Sequence, residues 1–326
     1  MRTIAVEEHF TTPGFLSGVG RVFSESFRKA RGPAGDRLFA QLADLGDKRI
    51  AEMDSAGLDM QLLMINSPGL EQAEDAEAIP AATEANDVLA EAMRKHPTRF
   101  AGLVAMPVGT PDKAAQELET RFGKDGFRGA VVNGHNRGRY LDDSFYWPIL
   151  ECAEKLGAPI YLHPAVPPQS VVQGSYGGFS PGETFFLAGA GWGWHIETSV
   201  HIIRLMVRGV FDRFPKLQFV IGHMGEGLPF MLPRMNAVAT RSPGLAMKRS
   251  PAEYLRENVH YTFGGFNFDS TFQILLSEVG AGRIMFSVDY PYGAMAEARA
   301  FLDKIPVSAA EREAIAHGNA ERLFGV

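Results

Sequence analysis

Short apolar runs that alternate with amphipathic stretches constrain this chain more than any other feature. The runs are TIAV (3–6), MQLLMI (60–65), FAGLVAM (100–106), GAVV (129–132), PIYLH (159–163), LQFVIGH (217–223), VHYTF (259–263) and RIMFSVD (283–289). They are short and rich in β-branched or aromatic residues, the signature of buried strands. Helix-like segments fill most of the gaps. DKRIAEMDSAG (47–57) ends in glycine, as helices often do. TEANDVLAEAMRKH (83–96) stops before Pro97. TPDKAAQELETRFGKDG opens on Thr110 as a cap, with Pro111 in the first turn. SAAEREAIAHGNAERLF opens on Ser308 and Glu311, spaced as a capping box. Strands alternating with helices make a parallel sheet, and eight of them close a barrel. The expected fold is therefore α/β, a TIM-like (β/α)8 barrel. An open doubly wound sheet is the alternative. Its dinucleotide-binding form needs a glycine-rich turn after the first strand, and EEHFTTPG has none. Residues 10–46 form an insertion after strand 1, and residues 164–196 a long loop after strand 5. In a barrel both lie at the active-site mouth.

No linker or low-complexity tract interrupts the pattern, so residues 1–326 read as one barrel domain. Hydrophobic residues make up 45% and charged ones 21%, enough for a sizeable core. The net charge is -6 and no basic block occurs, which argues against a nucleic-acid partner. No apolar run is long enough to span a bilayer, so no membrane role is expected. The N-terminus lacks a signal-peptide layout, because the apolar stretch stops at Glu7. Cys152 is the only cysteine and sits in the helix-like WPILECAEKLG, where it reads as core. One thiol suits a reducing compartment, and a cytoplasmic protein is expected.

The strand ends carry the chemistry. Glu7 and His9 are two apart on an extended strand and share a face, with Glu8 on the other. Strand 5 ends at His163, strand 6 at His223 and strand 8 at Asp289. Each alone has an ordinary reading: a hydrogen-bonded histidine, or an aspartate in a turn. Together they converge two carboxylates and three imidazoles on the inward rim where barrel enzymes work. Buried carboxylates without a cation repel and resist ionisation. A divalent metal removes that objection, and oxygen and imidazole donors without thiolate suit zinc, manganese or iron. The expected ligands are Glu7, His9, His163 and Asp289.

EEHF, YLHP, GHMGEGLPFMLPRM, FSVDYPY and the closing GNAERLF together resemble the amidohydrolase superfamily. Within it, the chain is similar to the branch of metal-dependent aromatic acid decarboxylases that act on γ-resorcylate, salicylate and 5-carboxyvanillate. The likeness runs over nearly the whole chain, most specifically in ETSVHIIRLMVRGVFDRFPKLQFVIGHMGEGLPFMLPRM. The first motif is Glu-x-His, where hydrolytic members usually have His-x-His.

The resemblance implies a non-oxidative carboxy-lyase holding one divalent ion, Zn2+ or Mn2+, on Glu7, His9, His163 and Asp289. The ion would chelate the carboxylate and ortho-hydroxyl of a small aromatic acid, and Asp289 would protonate the ring carbon. It further implies that His223 and Glu226 pair beside the metal, that Arg234 receives an acidic group of the substrate, and that Asn133 lies near the ring. Relatives are dimers or tetramers, so a homo-oligomer is expected. A hydrolase or hydratase acting on a lactone, amide or ester of a ring-cleavage product is the alternative on the same scaffold. Three positions depart from the decarboxylase pattern. Phe263 and Gly264 stand where small hydroxyls are expected, and His195 replaces a neutral residue. All three are expected near the pocket mouth.

Overall fold

The apolar runs become eight parallel strands that neighbour one another in chain order. In this computed structural model, which describes residues 1–242 and 244–326, they are β1 (Ile4–Phe10), β2 (Met60–Ile65), β3 (Phe100–Ala105) and β4 (Phe127–Asn133). The sheet continues through β5 (Ile160–His163), β6 (Phe219–Ile221), β7 (Val259–Thr262) and β8 (Ile284–Met285). Every adjacent pair is parallel. The segment after β8 returns to the start: Val6 N–H donates to the Phe286 carbonyl at 2.9 Å and His9 N–H to the Tyr290 carbonyl at 2.8 Å. Eight parallel strands with helices between them make a nearly closed TIM barrel.

The helices form an outer ring packed directly on the strands. Helix Asp75–Lys95 lies so close to β3 that a Cβ on Gly102 would stand 2.7 Å from the Leu89 Cδ2 atom. Strand residues are buried on both faces, which is why the runs read as continuously apolar. No described helix is long and apolar enough to cross a membrane.

β1 runs through Glu7, Glu8 and His9 to Phe10, past its apolar run at 3–6, as their extended reading expects. Several boundaries differ from expectation. β8 is only Ile284–Met285, because residues 286–289 leave the ladder to carry Asp289 inward. Helix Asp75–Lys95 starts well before Thr83, with Pro80 inside it. The insertion 10–46 folds as three helices, Pro13–Ser17, Arg21–Arg31 and Pro33–Ala43. The stretch after β5 is also partly helical, with Gln169–Ser175, Pro181–Ala188 and the start of Gly193–Val207. The Ser308–Glu311 capping box forms as expected.

Candidate metal centre

Glu7 reaches the barrel interior by a bulge. Its φ is +102°, and the β1–β2 register slips there, pairing Val6 with Leu62 and Glu8 with Leu63. Simple alternation was therefore not what brought Glu7 and His9 together; the extra residue turns Glu7 inward beside His9. Glu8 faces the other way and is held by Gln61 Nε2 at 3.1 Å and the Val288 N–H at 2.8 Å.

Glu7, His9, His163 and Asp289 offer donor atoms that all lie within 4.8 Å of one another. His9 Nε2 is 2.9 Å from Asp289 Oδ1, and Glu7 Oε1 is 3.8 Å from His163 Nε2. The Pro164 carbonyl, 2.9 Å from His163 Nδ1, can only accept, so Nδ1 carries the proton and Nε2 presents its lone pair. Tyr161 donates to Thr262 Oγ1 at 3.0 Å, and Thr262 donates to Glu7 Oε2 at 2.6 Å. Glu7 Oε1 is buried with no hydrogen-bond partner among the described residues. Burial pushes Glu7 up to about 7, with His223 pulling it down and Asp289 adding to the rise. Burial also raises Asp289, yet hydrogen bonds to His223 and His9 hold it below the usual carboxylate range. Burial, with His9 and His223 nearby, keeps His163 well below the ordinary histidine range. An orphaned carboxylate oxygen, a bare imidazole lone pair and a second carboxylate in one buried spot fit a divalent cation.

Glycine makes the approach possible. A Cβ on Gly222 would stand 2.3 Å from Glu7 Oε1. One on Gly264, whose φ is +52°, would stand 2.5 Å from the His223 nitrogen and 2.7 Å from Glu7 Oε2.

Beside this cluster is a second one. Residues 223–227 all have positive φ, a tight turn that aims His223 and Glu226 at each other. Glu226 Oε1 is 2.8 Å from His223 Nδ1, and its Oε2 is 2.5 Å from His195 Nδ1. It does not cap helix Leu228–Ala239. His223 Nε2 is 3.8 Å from Asp289 Oδ2. Burial opposes a charge on His223, but the Glu226 and Glu7 carboxylates raise it well above the ordinary range.

The other expected residues divide. Asn133 is fully buried and pairs in register with His163. Arg234 is exposed on helix Leu228–Ala239 and makes no hydrogen bond or ion pair among the described residues. Phe263 is not at the pocket mouth. It packs in the core with ring centroids 6.0 Å from Phe272 and 5.5 Å from Phe301. Gly264 is likewise deeper than expected, against Glu7. His195 does lie near the site, but tied to Glu226. Thr262, Tyr161 and Gly222 were not singled out from sequence. Thr262 ends its strand as the other site residues end theirs, but a neutral hydroxyl gives no signal of cost.

The amidohydrolase family profile matches residues 22–326. The chain is 36% identical to the γ-resorcylate decarboxylase of Polaromonas sp. strain JS666 over 332 residues, covering 98% of each chain. It is similar to a crystal structure of 2,6-dihydroxybenzoate decarboxylase complexed with 2,6-dihydroxybenzoate, with a TM-score of 0.89, 34% identity and 100% of both chains covered. It is also similar to the dihydroxybenzoic acid decarboxylase of Polaromonas sp. JS666 with bound manganese and the inhibitor 2-nitroresorcinol. There the TM-score is 0.90 and the identity 35%, over 99% of this chain and 97% of the other.

Proposed function

This chain belongs to the amidohydrolase family, and from that premise we propose that it is a metal-dependent, non-oxidative decarboxylase of a hydroxylated aromatic acid. The four-donor cluster of Glu7, His9, His163 and Asp289 carries the reading, in a chain similar over its length to such decarboxylases. These residues would hold one divalent ion, Mn2+ or Zn2+. Residues 1–326 act as one catalytic domain. A bound ion supplies positive charge against the substrate's carboxylate and ortho-hydroxyl oxygens.

The chain's residues supply the rest. Asp289, held ionised by His223 and His9 before the substrate binds, takes up one proton and hands it to the ring carbon that bears the carboxylate, using a π pair of the ring to form the C–H bond. The bond to the carboxylate carbon then breaks, its electron pair restores aromaticity, and carbon dioxide leaves. The reaction uses one proton per turnover and no water, so Asp289 must be reloaded. His223 faces Asp289 and is oriented by Glu226, which places it to steady the oxygen-centred charge. Asn133 lies near the ring. Arg234 receives an acidic group of the substrate; it lies on the helix face where Phe230 is 72% exposed, and that face packs against a second copy in a dimer or tetramer. The lone thiol, Cys152, suits a cytoplasmic setting.

The test is carbon dioxide release from hydroxybenzoates. Turnover should stop on chelation and return with Mn2+ or Zn2+. Acid release from lactones without any carbon dioxide would replace this reading with the hydrolase.

A further inference from the structure

Glu71 lies in the turn after β2 and has no part in the chemistry above. It is only 2% exposed. Its Oε1 accepts the Asn133 backbone N–H at 2.8 Å, and its carbonyl accepts Asn136 Nδ2 at 2.6 Å. Among the described residues its Oε2 has no hydrogen bond, and neither do Nδ2 and Oδ1 of the buried Asn133. The two side chains meet at Gly69, where φ is +67° and a Cβ would stand 2.2 Å from Glu71 Oε2 and 2.3 Å from Asn133 Nδ2. Only glycine leaves room for that meeting. Register partners in a parallel ladder share a face, so Asn133 points to the same interior as His163. Buried polar atoms without partners are costly, and these three belong to two side chains that meet at Gly69, one of them next to His163 in register.

We propose that Glu71, with Asn133, forms a specificity-determining subsite for a second ring hydroxyl of the aromatic acid, distinct from the one ortho to the carboxylate. The proposal rests on the decarboxylase reading. A phenolic hydroxyl donates one hydrogen bond and accepts another. The pair matches it in either proton state. Ionised Glu71 offers an acceptor beside the Asn133 Nδ2 donor. Protonated Glu71 offers a donor, and the Asn133 amide, turned over, offers its oxygen. Burial pushes Glu71 up to about 8, so its neutral form places no further negative charge against an anionic substrate. A methoxy group only accepts, and a bare ring hydrogen does neither. Either leaves a buried partner unpaired.

The experiment is a substrate panel on the metal-loaded enzyme: 2-hydroxybenzoate, the 2,3-, 2,4-, 2,5- and 2,6-dihydroxybenzoates, and each isomer methylated at its second hydroxyl. The unaltered protein should favour one dihydroxy isomer over its methoxy analogue and over 2-hydroxybenzoate by at least about tenfold in kcat/KM, mainly through KM. Glu71→Leu should shrink that preference below about threefold while sparing 2-hydroxybenzoate. Glu71→Gln keeps one donor and one acceptor and should retain it. Calorimetry of the matching dihydroxybenzene against phenol reads the same subsite without turnover. Turnover of 2-hydroxybenzoate with no preference for any dihydroxy isomer overturns the subsite and leaves decarboxylation standing. So does an unchanged preference in Glu71→Leu, or its loss in a folded Glu71→Gln. If Glu71→Leu fails to fold, the unaltered protein and Glu71→Gln still decide. No carbon dioxide from any compound sinks the decarboxylase reading instead, and calorimetry then decides the subsite alone.

Discussion

The absence of one Cβ at residue 264 lets the end of β7 rest against Glu7 and His223. Gly264→Ala should therefore cost about 1–3 kcal/mol, from a positive φ and a close contact together. It should also lower the bound metal; thermal melting and elemental analysis of the purified variant check both. Asp289 has a different signature. Asp289→Asn keeps the size of the side chain but removes the proton, so kcat should fall by about 100-fold or more. Steady-state kinetics with calorimetric binding of the substrate will show whether affinity survives. If most of the rate remains, Asp289 is not the proton donor. The departure at Phe263 teaches a related lesson. A large aromatic where a hydroxyl was expected looked like a change of pocket. In the structure that residue faces the helices, and Thr262, one position earlier, presents the hydroxyl to Glu7.

At the scale of elements, the strands were legible because burial on both faces leaves an unbroken apolar run. The acidic and imidazole residues at strand ends were legible because burying them is expensive without a purpose. Lengths were harder to read. The bulge at Glu7 has no signature in EEHF, and β8 stops at Met285 although FSV continues the apolar pattern. Tertiary contacts decide both. The helices in the insertion were hard to read because Arg21–Arg31 exposes most of its residues and has only Phe23 and Phe27 at helical spacing to mark its inner side. Helix Leu228–Ala239 displays Phe230, Met231 and Val238 to solvent. Surfaces of that kind are usually covered by a partner. Phe230→Glu should shift the protein toward monomer by light scattering. An unchanged mass would place the contact elsewhere.

For the molecule as a whole, two buried histidines away from the metal cluster contribute to its response to acid. Burial, helped by His135 and Arg204, pushes His201 down to about 3; burial with Arg283 and Arg322 does the same to His260. Both are neutral when folded, whereas in the unfolded chain each takes up a proton below about pH 6.5. For these two groups the unfolded state binds more protons between about pH 6.5 and 3, so their share of the stability falls as pH drops through that window, on the order of 1 kcal/mol per histidine per pH unit, while buried Glu7 and Glu71, raised to about 7 and about 8, bind protons in the folded state and oppose that slope above about pH 4.5. Urea unfolding at several pH values measures the slope, and His260→Gln should flatten it. The seam of the barrel has a consequence for biogenesis. Glu7 and His9 belong to the first strand of the barrel, while Asp289 follows the last. A growing polypeptide still on the ribosome cannot assemble that donor set until all eight strands have been made. Acquisition of the ion is thus a late event in the protein's life, and a prematurely terminated product leaves synthesis with no complete place to put one.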